Sequence, residues 1–186
     1  MNAEKGAALR ANPPASPAVS PWDPSRWILW PALTFGLAVS LLLSWGRYFN
    51  QDEFESLHQG WLLAIGKLQY LDFNSNHPPL FFRLLSVFNV FAADPVSWLR
   101  AGRVLTWLSA GLQLVLVGRI ARAVFGASAQ RWALATYAVC ETFLEWSVEI
   151  RSDALMVPLW LAAILLALSP VPMRESRRLF AIGLLL

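Results

Sequence analysis

Two adjacent carboxylates, Asp52 and Glu53, follow directly on a long apolar segment. Across a short amphipathic stretch come Tyr70-Leu71-Asp72 and then His77-Pro78-Pro79-Leu80. A carboxylate pair at the end of an apolar helix sits at the depth of a lipid headgroup, where it can take a proton from an attacking nucleophile. Farther along, Glu149-Ile150-Arg151-Ser152-Asp153 sets an arginine among carboxylates, and the arginine fork is the side chain best matched to a phosphate.

The elements that must position these groups are read from composition and hydropathy. With 56% apolar residues and 10 Trp, and a mean hydropathy of +0.47, too little polar surface remains for a water-soluble domain. The chain reads as an integral membrane protein, an all-α polytopic helical bundle. Its formal charge of +3 comes mostly from arginines in short segments between apolar runs. That is a topology signal and not a patch that tracks nucleic acid, so no nucleic-acid partner is expected. The single cysteine, Cys140, lies in an apolar run, which excludes an intrachain disulfide and a cysteine-rich zinc site.

Residues 1–26 are rich in Ala, Pro, Ser and Asn without periodicity and read as a disordered cytoplasmic tail. Residues 27–186 form the membrane domain. Residues 27–49 are long enough, at about 1.5 Å each, to cross a core of about 30 Å, with Trp27 and Trp30 at one interface and Trp45 and Tyr48 at the other. Further spans are expected at about 96–118, 130–150 and 153–168, with the start of a fifth at 179, so that both Arg-rich loops face the cytoplasm. Because 179–186 is too short to cross, the chain reads as the N-terminal part of a longer protein. Asp94 before Pro95 predicts a helix N-cap.

Residues 50–94 form an outer loop with two interfacial amphipathic helices. In the first, Phe54, Leu57, Trp61 and Ile65 recur at helical spacing opposite Asp52, Glu55 and Gln59. The second is expected at 80–91, opened by Pro78-Pro79. Within the spans, Glu141, Glu145 and Glu149 recur every fourth residue as an acidic stripe. Folding the hairpin near Phe125 sets Arg100 opposite Glu149 and Arg103 opposite Glu145, so ion pairs are expected there.

The order of these elements resembles the C-type glycosyltransferases related to protein O-mannosyltransferases and the lipid A aminoarabinose transferases. The resemblance rests on Asp52-Glu53 after the first span, on His58, Gly60 and Gly66, on Tyr70, Asp72 and His77-Pro78-Pro79-Leu80, and on the segment around Arg151 and Asp153. It covers most of the ordered chain but only the amino-terminal part of a typical member. Ser75 departs from the pattern, standing where protein mannosyltransferases often carry an acidic residue two before the His.

The resemblance implies transfer of a sugar from a polyprenyl-phosphate donor to a glycan, lipid or protein acceptor, with inversion, on the outer face of a bacterial inner membrane. Asp52 is then the general base, and Glu53 orients the acceptor or tunes Asp52. The phosphate leaving group needs cations, for which Arg151, Lys67 and His77 are candidates with Arg83 behind them; Asp153 orients Arg151. Tyr70 and Asp72 complete the expected substrate-binding set. Each residue has a plainer reading beside it: Asp52 as a helix N-cap, Arg151 with Asp153 as a local ion pair, Lys67 as a solvated charge, His77 as a loop-ordering group and His58 as a packed histidine. No cofactor is expected, a divalent ion on Asp52, Glu53 and Asp72 being the weakest of the options weighed. Competing readings are a secondary transporter running through Glu141, Glu145, Arg100 and Arg103, and a non-catalytic membrane scaffold.

Overall fold

The computed structural model describes residues 22–89, 94–168 and 175–185. The described residues form eight helices: α1 (Ser25–Gly46), α2 (Gln51–Ala64), α3 (Pro79–Asn89), α4 (Pro95–Phe125), α5 (Ala127–Val139), α6 (Glu141–Trp146), α7 (Asp153–Leu168) and α8 (Glu175–Leu185). Among the described residues there is no strand beyond a single isolated bridge, Gln69 to Phe73. α1 and α4 are long and apolar enough to cross a membrane; α3 and α7 are shorter apolar helices.

Most of the expected tail, 1–21, and the expected end of the second loop helix, 90–91, lie outside the described residues. The last residues assigned to the tail belong to the fold. Asp23 is buried, accepts from Ser25 N at 3.0 Å and Ser25 Oγ at 2.6 Å, and pairs with Arg131 of α5. The backbone donors at the start of α1 demand an acceptor, and a carboxylate supplies one. α1 then crosses α5 closely at Gly36, where a Cβ would come within 2.1 Å of the Ala138 carbonyl oxygen.

The third span differs from expectation. α5 stops at Val139, Cys140 is extended at φ −72 and ψ 144, and a six-residue helix α6 follows. The break leaves Glu141 and Glu145 on α6 and Glu149 beyond its end, so the three form no continuous stripe along one spanning helix. The expected pairs change with it. Arg100 lies over the Trp45 ring at 5.2 Å, Arg103 pairs with Glu53, and Glu145 and Glu149 pair instead with Arg47 at 3.4 and 2.6 Å.

α2 also turns differently. It buries Glu53, Ser56, Leu57, Gly60 and Leu63, and leaves Phe54, Trp61 and Ile65 exposed. Gly60 explains the rotation: a Cβ there would come within 3.0 Å of Leu85 Cβ, so only glycine lets α2 lie this close against α3. The small-residue face therefore goes inward and the aromatic face outward, a side that suits a membrane interface. Gln59, expected on the polar face, is buried and donates to Glu55 at 3.1 Å. Leu57, Leu63, Phe81, Phe82, Leu85, Trp98, Leu99 and Ile150 make one apolar core beneath α2 and α3. A second core, Ala110, Leu114, Ala138 and Phe143, joins α4 to α5 and α6.

Hydrogen bonds from Ser25 and then from Arg131 hold the Asp23 carboxyl well below the usual carboxylate range. A depressed folded-state value contributes stability that is present above about pH 4 and is lost as pH falls toward the depressed value. Unfolding followed by intrinsic fluorescence should therefore lose stability below pH 4 more steeply in the native protein than in Asp23→Asn. Equal acid sensitivity of the two would remove the latch.

Candidate functional site

The sequence Asn50-Gln51-Asp52-Glu53 folds as a helix start in which each residue has a separate task. Asn50, not Asp52, is the N-cap: its side chain accepts from Asp52 N at 3.1 Å, while Asn50 N donates back to Glu53 Oε2 at 3.1 Å. This reciprocal arrangement is a capping box. Asp52 is thereby left free of capping, and its side chain is 55% exposed.

Glu53 is fully buried and points the other way. It takes Arg103 Nε at 2.9 Å and Nη2 at 2.8 Å in a two-pronged ion pair, and accepts Ile150 N at 3.3 Å besides Asn50 N. Arg103 spends its remaining donors on carbonyls at and just past the end of α1: Ser44 at 2.8 Å, Arg47 at 3.2 Å and Tyr48 at 3.2 Å. The Phe49 ring closes the pair at 4.7 Å from the guanidinium carbon. Both oxygens of Glu53 are thus engaged within the scaffold, beside the Asp52 that the sequence expects it to tune or to help in orienting the acceptor. The clamp ties the end of α1, the start of α2, α4 and the segment before α7 to one another.

That segment carries Arg151. Ile150 is buried against Gly102 of α4, where a Cβ would approach Ile150 Cδ1 to 2.6 Å. Arg151, next in the chain, faces outward. Its Nη1 lies 3.7 Å from Asp52 and 3.3 Å from Glu149, its Nε 3.6 Å from Asp153, and its guanidinium carbon 4.9 Å from the Trp146 ring centre. Glu149 is buried and shared with Arg47 and with Asn50 Nδ2, at 3.2 Å.

Asp52, Arg151, Asp153 and His77 line one polar cavity of about 180 Å³ with Glu55, Ser56, Gln59, Asn76, Phe82 and Ser152. Beside it runs a mainly apolar groove of about 290 Å³ between α3, α7 and α8, lined by Leu80, Phe81, Leu155, Leu159 and Trp160 among others; His77, Ser152 and Asp153 belong to both. His77 Nδ1 lies 3.2 Å from Ser152 Oγ, which holds its ring at this junction.

Three expected residues stand apart. Asp72 closes a tight turn by accepting from Leu68 N at 2.8 Å. Tyr70 has φ 71 and donates its hydroxyl to the His77 carbonyl at 2.7 Å, so both shape the loop that presents His77. Lys67 is exposed and outside the polar cavity. Ser75, where an acidic residue was the pattern, donates to Gln59 at 2.7 Å and accepts from His77 N at 3.3 Å. His58 is exposed and stacks on Trp61 at 5.6 Å. Sequence reading missed Asn50, Arg47, Trp146 and the Arg103–Glu53 pairing. Only the capping box carried a local signature, an Asn three residues before a Glu.

Among the described residues no three His, Cys, Asp or Glu side chains converge so as to hold a metal ion. Glu53 and Asp72 turn to Arg103 and to Leu68 N, away from Asp52.

An all-helical membrane protein with a carboxylate–guanidinium pair in a polar cavity beside an apolar groove is the class these features define. Residues 76–186 match the family described as dolichyl-phosphate-mannose-protein mannosyltransferase, and the chain belongs to that family. The family is one of membrane glycosyltransferases of the C type that use polyprenyl-phosphate sugars. His77, Arg151 and Asp153 lie within the matched residues, and Asp52 and Glu53 precede them. No curated protein and no solved structure matches the chain.

Removing one partner of a buried pair strands the other, at a cost of about 3–5 kcal/mol. Thermal unfolding of Glu53→Gln and of Arg103→Met should each show a loss of that order. The double substitution Glu53→Leu with Arg103→Met should lose less than the sum of the two. Single variants within about 0.5 kcal/mol of the native protein would contradict the clamp.

Proposed function

We propose that this protein transfers a sugar from a polyprenyl-phosphate donor to an acceptor on the outer face of a bacterial inner membrane, with inversion at the anomeric carbon. The observation that carries this reading is the contrast between its two central arginines. Arg103 has all five donors engaged at 2.8–3.2 Å. Arg151 touches three carboxylates only at 3.3–3.7 Å. Charge-assisted contacts settle near 2.7–2.9 Å when they are made fully. Arg151 therefore keeps donor capacity at the mouth of a cavity, and a phosphate is the ligand its fork fits.

The flanking spaces support the same donor. A phosphate on Arg151 would set the sugar in the polar cavity and the isoprenoid chain in the adjoining apolar groove. Three carboxylates share this one guanidinium, so an arriving phosphate displaces one of them; Asp52, at 3.7 Å, is the most weakly held. Released, Asp52 takes the proton of the acceptor nucleophile as it attacks the anomeric carbon, and the carbon–oxygen bond to the phosphate breaks on the opposite side. The leaving phosphate needs charge stabilisation, which Arg151 gives; Asp153 and the Trp146 ring orient it. His77 and Ser152 hold the junction between cavity and groove. Lys67 is kept for the headgroup region outside the cavity, and Tyr70 and Asp72 for building the His77 loop. No metal or organic cofactor enters this scheme.

The test is transfer of label from radiolabelled polyprenyl-phosphate sugars in membranes carrying the protein. Asp52→Asn should lower turnover by roughly 10²- to 10⁴-fold with insertion unchanged. Arg151→Lys, which keeps the charge and loses the fork, should lower it by about tenfold or more. Unaltered turnover in Asp52→Asn would remove the base.

A further inference from the structure

α1 and α4, which among the described residues are the two helices long and apolar enough to cross a membrane, enclose between them a groove of about 230 Å³ that shares no lining residue with the candidate cavity. They run antiparallel here, since Arg103 bonds Ser44 and, one turn on, Trp107 Nε1 donates to Ser40 Oγ at 3.1 Å. Arg100 stands on the rim. It is exposed, and its guanidinium lies 5.2 Å over the exposed Trp45 ring. Among the described residues it makes no ion pair. Asp94, the nearest acidic residue along the chain, gives its carboxylate to Val96 N, Ser97 N and Ser97 Oγ, and the through-space pull of Arg100 on it is the weakest of its interactions.

A cation over an aromatic face keeps its N–H edge free for an acceptor. One and two turns deeper, Leu41, Val104 and Leu108 are all exposed and line the groove. From Arg100 to Leu108 the helix rises about 12 Å. A guanidinium near the end of a spanning helix lies at headgroup depth, with hydrocarbon below it. Anionic charge above and an alkyl chain below is the chemistry of an anionic phospholipid.

We propose that this groove binds one anionic phospholipid from the leaflet that borders the candidate site, its phosphate on Arg100 and an acyl chain along Leu41, Val104 and Leu108. Arg103, itself buried, is among the residues that line the groove. The bound lipid therefore packs against the clamp that sets Asp52, and leaflet composition bears on the stability of that clamp. The proposal is independent of the donor reading.

Native mass spectrometry of the protein released from nanodiscs of equal phosphatidylglycerol and phosphatidylcholine reads the retained lipid. Phosphatidylglycerol should be retained about fivefold over phosphatidylcholine, the preference worth one arginine at a membrane surface. Arg100→Gln should bring the two to parity, and Arg100→Lys should keep most of the preference. Val104→Trp, which fills the trough and leaves the charge, should lower retention of both lipids. Parity in the native protein, or an unchanged preference in Arg100→Gln, overturns the proposal. Should Arg100→Gln fail to fold, unchanged retention in Val104→Trp overturns it equally. Added polyprenyl phosphate should leave the retained phosphatidylglycerol in place; displacement dependent on Arg100 would make the groove a donor site and refute the phospholipid.

Discussion

Arg103 brings five N–H donors into the seam between α1 and α4, and each finds an oxygen. Three of these oxygens are carbonyls at and just past the end of α1, those of Ser44, Arg47 and Tyr48, where no following helical turn can satisfy them. The other two belong to Glu53, which also accepts the backbone N–H groups of Asn50 and Ile150. A buried guanidinium and carboxylate are costly out of water unless every donor and acceptor is met, and here nearly all are. The arrangement can be satisfied in few other ways, so it fixes where α1 stops, how α2 starts and how the chain enters α7.

Geometry at the surface follows from that interior pair. Glu53 points in, so its neighbour Asp52 points out; Ile150 packs on Gly102, so Arg151 faces the solvent side. In α2 Asp52 leaves the helix about 100° round from Glu53, and with both segments pinned by the same clamp a carboxylate and a guanidinium stand 3.7 Å apart. The tight arginine is structural and the loose one is available, and burial separates them: the side chain of Arg103 is 4% exposed and that of Arg151 32%. Substrate binding needs the second kind, because a saturated arginine has nothing left to give an incoming phosphate.

Much of this was legible in the chain. Long apolar runs gave α1, α4 and α7, and the Asp94-Pro95 pair gave the start of α4, with Asp94 accepting from Val96 N and Ser97 N. The family was legible in the order of its motifs, and residues 76–186 bear it out. Pairings were less so. Arg103 was read toward Glu145 on the premise that the third span is continuous, but nothing local announces the break at Cys140. The inward face of α2 was misread because hydrophobicity favours Phe54 and Trp61, whereas close packing favours Gly60 and Ser56, and a membrane interface lets the aromatics remain outside. Long-range contacts such as Glu53 with Arg103, fifty residues apart, are decided by tertiary packing and leave no periodic trace.

Cryo-electron microscopy of the protein with a bound polyprenyl phosphate tests the central claim, that the buried clamp presents Asp52 and Arg151 to one donor. The phosphate should lie within hydrogen-bonding distance of the Arg151 guanidinium, the isoprenoid beside Leu155 and Trp160, with Asp52 released toward the polar cavity and Glu53 still on Arg103. A phosphate held elsewhere, with Asp52 and Arg151 still paired and no density in the cavity between them, would contradict it.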